Sequence, residues 1–252
     1  MNKNSIGYRV KKWAGITVLR SFEQVIRLVD GDREFFPAED FPFTRELEAY
    51  WQEIRKEYAQ IHAKEDIPPI EEIFPEQARI THDRGWRSYM LAIYGYDFAH
   101  HQQACPVTTA ILNKIPLMTS AFFSVLQPHS AIAPHRGIYK GVLRCHLGLL
   151  VPHPEQCALV INGKEVHWQE GRCMVFDDTF PHTAWNRSDK ARVVLFIDFI
   201  RPLPEPFHTI NLFLFRLLAR TEFITEVLSR SRQRDGSSFR ERYPLKRAPY
   251  RC

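Results

Sequence analysis

The stretch LVINGKEVHW, residues 159–168, reads as two strand-like runs on either side of Asn162-Gly163. An Asn-Gly pair between such runs is the signal of a two-residue type I′ turn. Both turn positions need positive φ, which Asn tolerates and Gly adopts freely. The spacing therefore predicts a β-hairpin, and the sequence around it has the same texture. MTSAFFSVL (118–126), VLRCHLGLLV (142–151), CALVI (157–161), KEVHW (164–168), CMVF (173–176), HTAWN (182–186) and RVVLFIDFI (192–200) are short apolar or alternating runs separated by turn residues. About seven short strands within ~85 residues predict an antiparallel sandwich or a small jelly-roll barrel.

The flanks of this region read as helices. Leu19, Phe22, Val25, Ile26 and Val29 recur at helical spacing, predicting a helix over 18–29 within an otherwise poorly patterned segment, 1–40. A second helix is predicted from Phe43 to Ile61, with Trp51, Ile54, Tyr58 and Ile61 as its stripe and Pro68-Pro69 beyond its end. RGWRSYMLAIYGY (84–96) predicts a strand leading to Gly95, and Cys105 to Ile115 a short helix closing before Pro116. After Pro202 and Pro204 the pattern returns to helix, with Ile210 to Leu218 as an apolar face; beyond Arg230 it frays. The expected organisation is an N-terminal extension (1–40) with some capacity to associate with a membrane, a domain over 41–204 with its β core from about residue 117, and a C-terminal helix with a basic tail (205–252).

A chain of 252 residues is long enough to bury a substantial core. Its formal charge of +5 is uneven: from Arg220 to Cys252 there are nine Lys/Arg against four Asp/Glu. A nucleic-acid binder more often spreads basic charge over its folded domain, so no nucleic-acid partner is expected. A basic tail suits a solvated terminus or an anionic membrane surface equally well. The five cysteines (Cys105, Cys145, Cys157, Cys173, Cys252) are scattered singly, a pattern that favours a reducing compartment. Near the N-terminus, Lys3, Arg9, Lys11 and Lys12 precede a short apolar stretch broken by Arg20 and Glu23. That stretch is too short and too charged for a spanning helix. The expected location is cytoplasmic, with peripheral contact at the inner membrane face left open.

Chemistry concentrates in PHRGIYKGVLRCHLG (134–148) and in the last two strands. His135 lies on a loop that enters a strand, and His182 begins a strand after the turn FDDTFP. In a barrel these positions can meet at one mouth, where two imidazoles suit a divalent transition metal. The alternative is a pair of histidines that merely hydrogen-bond at strand ends. Arg192 opens an otherwise apolar strand and needs an anionic partner, for which a carboxylate is the best match. A rim salt bridge to Asp178, Asp189 or Asp198 is the competing assignment. Arg144 and His146 alternate along one strand and so share a face.

HRGIYKGVLRCHLGL, EGRCMVFDDTFPHTAWNRSDKARVVLFIDFIRP and CPVTTAILNKIP resemble the aspartyl/asparaginyl β-hydroxylase family of Fe(II)- and 2-oxoglutarate-dependent dioxygenases. The likeness runs from roughly Phe41 to Pro204 and is densest from Cys105. FPFTRELEAYW and WRSYML look more like the bacterial lipid-hydroxylating branch than the animal peptidyl enzyme. The resemblance implies a mainly β fold, a double-stranded β-helix (jelly-roll, cupin-like) core with flanking N-terminal and C-terminal helices. It implies His135 and His182 as the iron ligands and Arg192 as partner of the far carboxylate of 2-oxoglutarate, with His146, Arg144 and Ser124 lining the same pocket. The commoner oxygenase motif is His-x-Asp/Glu, and its carboxylate position is Gly137 here, so the resemblance implies a water in its place. Asp177 and Asp178 are expected to cap the turn before His182.

The implied activity is hydroxylation of an unactivated C–H with Fe(II), 2-oxoglutarate and O2. The implied substrate is a lipid acyl chain, of lipid A or ornithine-lipid type, or an aspartyl/asparaginyl-type residue in a peptide. The alternatives are a non-catalytic metal-binding jelly-roll module and a zinc-dependent isomerase or hydrolase on a similar barrel.

Overall fold

A computed structural model describes residues 6–81, 83–236 and 238–242. Helix α1 (Ile6–Asp30) leads to a two-residue strand, β1 (Phe35–Phe36), then to α2 (Phe43–Ala49) and α3 (Trp51–Lys64). Next come β2 (Trp86–Ile93), β3 (Tyr96–Phe98), α4 (Ala99–Ala104) and α5 (Pro106–Leu112). The β-rich half contains β4 (Met118–Leu126), β5 (Ser130–His135), β6 (Val142–Leu150), β7 (Cys157–Ile161), β8 (Lys164–His167), β9 (Cys173–Phe176), β10 (His182–Asn186) and β11 (Arg192–Ile200). Helices α6 (Phe207–Leu218) and α7 (Glu222–Asp235) and strand β12 (Phe239–Glu241) follow.

The strands form two antiparallel sheets, one ordered β1-β9-β6-β11-β4-β2-β3-β12 and the other β5-β10-β7-β8. They enclose a jelly-roll, cupin-like core with helices on its flanks, as the strand pattern predicts. The Asn162-Gly163 hairpin forms with φ of 50° and 79°, placing Ile161 opposite Lys164.

The larger sheet is buried on both faces, which is why its central strands read as unbroken apolar runs. In β11, Val193, Leu195, Ile197 and Phe199 point outward onto a layer that includes Leu47 of α2 and Ile54, Tyr58 and Ile61 of α3. Val194 and Phe196 point inward among Trp86, Met90, Phe122, Trp168 and Phe176, between the sheets. Phe122 and Phe196 stack there with ring centroids 4.0 Å apart, and truncating such a buried ring to Ala costs about 3–5 kcal/mol. A third cluster joins Phe22 and Ile26 of α1 to Phe215 and Ala219 at the end of α6 and to Tyr139 and Ile200 beside the barrel mouth.

Four local expectations are corrected. The helix over 43–61 is two helices, because Tyr50 leaves helical geometry (φ −106°, ψ 16°) and lets α2 turn its Glu48 to the backbone N–H of Cys173 while α3 faces the sheet. The segment 1–40 contains a much longer helix than predicted, and its β1 extends the main sheet, Phe35 opposite Phe176. The C-terminal helix is divided into α6 and α7. Of the expected basic tail, 243–252 lies outside the described residues, while regular structure continues past Arg230 as far as Glu241. There β12 pairs with β3, fixed by Phe239 against Phe98 (4.8 Å) and by Arg240 and Arg242 on the buried carboxylate of Asp97. Finally, Ser130–His135 is a strand rather than a loop: β5 is a sheet edge, where Pro134 removes no needed ladder donor.

Candidate functional site

His135 is the last residue of β5 and His182 the first of β10, and the antiparallel register sets them directly opposite each other. Their ring centroids lie 4.1 Å apart. Each ring is anchored in the same way, through Nδ1 to the carbonyl two residues earlier: Ala133 O for His135 and Phe180 O for His182, both at 2.9 Å. A carbonyl only accepts, so Nδ1 carries the proton in both rings and Nε2 keeps its lone pair. The backbone thus fixes the tautomer that leaves Nε2 free to ligate a metal. Burial, reinforced by the neighbouring His182, pushes His135 down to about 4, and burial also lowers His182. Both rings are therefore neutral donors at neutral pH.

Gly137 follows two residues after His135, and its N–H donates to Asp178 O at 2.7 Å. A Cβ at this position would land inside the carboxylate of Asp178. The side chain that fills the space beside Gly137 thus comes from the opposite turn. That carboxylate is taken by Arg144, whose Nη2 lies 2.8 Å from Asp178 Oδ2. Among the described residues no group of three or more His, Cys, Asp or Glu side chains could hold a metal, and the two adjacent imidazoles are the candidate donors. Asp177 does cap the turn: its Oδ1 accepts from the N–H (2.9 Å) and hydroxyl (2.5 Å) of Thr179. Its Oδ2 accepts from Lys140 Nζ (2.6 Å) and from Arg201. Asp178 does not share that role, because its carboxylate points inward to Arg144.

Farther into the barrel are the two inward residues of β6, Arg144 and His146, and the first residue of β11, Arg192. Arg144 stands opposite Asp198 in register and binds it through two nitrogens at 2.8 and 3.0 Å, while its guanidinium covers Phe196 at 4.1 Å. Although burial opposes its charge, Asp178 and Asp198 hold Arg144 above its ordinary value. Its charge is already balanced, which corrects the expectation that it serves as an anchor for the same anion.

Arg192 is the opposite case. It is 1% exposed, its guanidinium lies 4.4 Å from the Trp168 ring, and its Nη1 reaches only the carbonyl of Ser124 at 3.5 Å. Its Nε has no hydrogen-bond partner among the described residues. Asp178 and Asp198 hold Arg144, and Asp189 holds His129 at 2.9 Å, so the rim salt bridge weighed for Arg192 does not form. Burial pulls this guanidinium down to about 10.

Trp168 links Arg192 to His146 by donating its indole N–H to His146 Nδ1 at 3.2 Å. The indole can only donate, so the proton of His146 sits on Nε2, which is buried without a partner. Burial, followed by Arg144, Arg192 and His182, keeps His146 well below its ordinary value and hence neutral. Ser124 is nearby on β4, and its hydroxyl accepts from Trp86 Nε1 at 2.9 Å and keeps its own proton to donate. The site therefore presents two adjacent imidazole Nε2 lone pairs and, deeper in, donors on Arg192 and His146 that lack acceptors. That combination fits a metal at the mouth and a carboxylate at the floor. Sequence reasoning named Asp178 but not its role beside Gly137, a contact that spans 41 positions, and it missed Trp168, whose place directly after the hairpin was the available signal.

The sequence profile of the Aspartyl/Asparaginyl beta-hydroxylase family matches residues 48–202. The ornithine lipid ester-linked acyl 2-hydroxylase of Rhizobium tropici is 35% identical over 221 residues, covering 87% of this chain and 79% of that protein. The human aspartate beta-hydroxylase domain-containing protein 2 is 34% identical over 46% of this chain and 34% of its own length. The human aspartyl/asparaginyl beta-hydroxylase is 27% identical over 63% of this chain, which spans only 21% of that longer protein. The matched span runs from α2 to just past β11 and contains both imidazoles, Gly137, Asp178 and Arg192, so the chain belongs to the aspartyl/asparaginyl beta-hydroxylase family of hydroxylases.

Proposed function

We propose that this protein is an Fe(II)- and 2-oxoglutarate-dependent dioxygenase that hydroxylates an acyl chain of a membrane lipid. The observation that carries the cosubstrate is Arg192, a buried guanidinium without a carboxylate in a barrel whose other inward arginine has two. Leaving such a donor unpaired costs several kcal/mol, which a bound carboxylate would offset. His146 Nε2–H and the Ser124 hydroxyl are additional donors toward the same anion. His135 and His182 would hold the iron through Nε2, and Asp178, whose carboxylate fills the space a side chain at residue 137 would take, could accept a hydrogen bond from a metal-bound water.

Iron with 2-oxoglutarate and O2 supplies the oxidising power for C–H hydroxylation, at the expense of decarboxylating 2-oxoglutarate to succinate. The protein's part is to fix the imidazole tautomers, anchor the anion and line the space with Phe122, Phe176, Phe196 and Trp168, which exclude water. The acyl-chain substrate is supported by the Rhizobium relative, whose likeness extends beyond the barrel over most of both chains. The test is succinate release from 2-oxoglutarate with Fe(II) and ascorbate, read with and without ornithine lipid, and a gain of one oxygen in the lipid by mass spectrometry. Turnover with an aspartyl peptide but not with lipid would move the substrate to the peptidyl class. Absence of turnover with both, and of any 2-oxoglutarate-dependent thermal shift, would leave the non-catalytic metal-binding reading.

A further inference from the structure

Helix α6 is apolar on two sides. Phe215, with Asn211 beside it, faces the interior. On the other side Ile210, Phe213 and Leu217, at i, i+3 and i+7, are 42%, 54% and 48% exposed. A helix apolar on both sides is ordinarily buried on both, and large exposed apolar groups in a row mark a binding surface. Its neighbour α1, which shares the cluster of Phe22, Ile26 and Phe215, exposes Val18 and Leu28.

Charge points to the occupant. Residues 1–30 carry six Lys/Arg against two Asp/Glu, and residues 220–252 nine against four. The intervening residues, 31–219, carry 19 against 23. The entire positive excess thus lies in the two segments that contain or directly follow the helices bearing the exposed apolar residues. In the second segment Arg220, Arg230, Arg240 and Arg242 are held in ion pairs, so it is the net charge of the two segments that counts. Apolar helix faces adjoined in sequence by net basic segments are complementary to an anionic lipid interface, where acyl chains take the former and headgroups the latter.

We propose that the α6–α1 face docks the protein on an anionic phospholipid bilayer. No helix among the described residues is long and apolar enough to cross a membrane, so the contact is peripheral. The same two helices hold the loop after His135. Asn211 of α6 accepts from the Tyr139 hydroxyl at 2.6 Å and donates to Gly141 O at 2.9 Å. From α1 and the turn after it, Glu23 pairs with Arg136 at 3.1 Å and Asp32 with Lys140 at 2.9 Å. Docking therefore sets the bilayer against helices tied directly to the mouth of the barrel, whose loop exposes Ile138. The docking face stands without reference to the substrate proposed above.

The test is co-sedimentation of the full chain with phosphatidylglycerol/phosphatidylcholine vesicles and with pure phosphatidylcholine vesicles. The full chain is expected to bind the anionic vesicles, with affinity falling about tenfold or more in ~0.5 M salt. Substituting Ile210→Ser, Phe213→Ser and Leu217→Ser together should weaken binding about a hundredfold, and Phe213→Ser alone about tenfold. Because all three side chains are exposed, the melting temperature and turnover on detergent-dispersed substrate should stay at parental values. Failure of the parent to bind anionic vesicles, or equal binding by the triple variant, overturns the proposal. So does a parental dimer that the triple variant converts to monomer with vesicle binding unchanged, since a second copy then covers the face. Vesicle binding without hydroxylation of any lipid supports the docking face and overturns the substrate alone.

Discussion

Replacing Arg192 with Met separates the anion-anchoring reading from a structural one, because the two predict opposite signs for stability. Burial that pulls the guanidinium down to about 10 corresponds to about 3 kcal/mol against the charged form in the protein without anion. Met fills much of the aliphatic volume without charge. The substitution forfeits the contact with the Trp168 ring, worth ~1–2 kcal/mol in a desolvated setting. The balance is a gain of about 1–2 kcal/mol, or ~2–6 °C in melting temperature for a domain of this size. Affinity for 2-oxoglutarate should move the other way. Loss of a buried charge-assisted pair costs about 2–4 kcal/mol, or ~30-fold to ~1000-fold in Kd. Thermal unfolding with and without 2-oxoglutarate, using Mn(II) as a redox-inert stand-in for iron, and calorimetric titration read the two effects on one sample. An R192M protein that melts several degrees lower and binds 2-oxoglutarate as the parent does would refute the reasoning and make Arg192 a packing residue.

The companion substitution Arg144→Met should do the reverse, because it strands Asp178 and Asp198 in the interior; a loss of about 3–5 kcal/mol in urea unfolding is expected. Gly137→Asp, which writes the commoner His-x-Asp motif into the chain, should fail to tighten metal binding, since the new side chain meets the Asp178 carboxylate. The pair Gly137→Asp with Asp178→Gly clears that space and should bind metal more tightly than Gly137→Asp alone, as measured by competition with a chelating dye. Asp177→Asn removes the carboxylate shared by Lys140 and Arg201, both fully buried, and should cost about 3–5 kcal/mol in the same urea assay. His182→Ala should abolish metal-dependent turnover and metal binding measured by dye competition, and because the ring is buried and bonded to Phe180 O it should also lower the metal-free melting temperature by several degrees.

What was legible in the sequence follows from how local each determinant is. The Asn162-Gly163 hairpin is decided by two residues and was readable from them. Strands β4 and β11 were readable because burial on both faces leaves them almost continuously apolar. Strand β5 was not, because SAIAPH is short, half polar and contains a proline that only an edge position tolerates. The iron-ligand candidates and Arg192 were named from sequence, yet Arg144 and Arg192 look alike there: each is an inward arginine on a strand. Register separates them. Asp198 lies opposite Arg144, whereas the residue opposite Arg192 on β4 is Leu126. Charge pairing across a sheet depends on strand alignment, which a strand's own residues do not encode. Asp178 was named as a turn cap, and its true role was hidden for a related reason, since its contact with Gly137 exists only once two turns meet.

The acidic side chains that reach from the first helix and the turn after it have a consequence for how portable this hydroxylase is. Glu23, Asp30 and Asp32 clasp Arg136, Arg201 and Lys140, all of them in the loop after His135 or just after β11, and β1 completes the edge of the main sheet. Glu23, Asp30, Asp32 and β1 all precede the segment that defines the family, which begins at residue 48, whereas their three basic partners lie within it. A fragment excised at that boundary would retain every candidate ligand and still strand Lys140 and Arg201 around one carboxylate, with Phe176 open on its outer edge. The unit that inheritance recognises is smaller than the unit that can stand alone, and engineering of this scaffold has to start from the larger one.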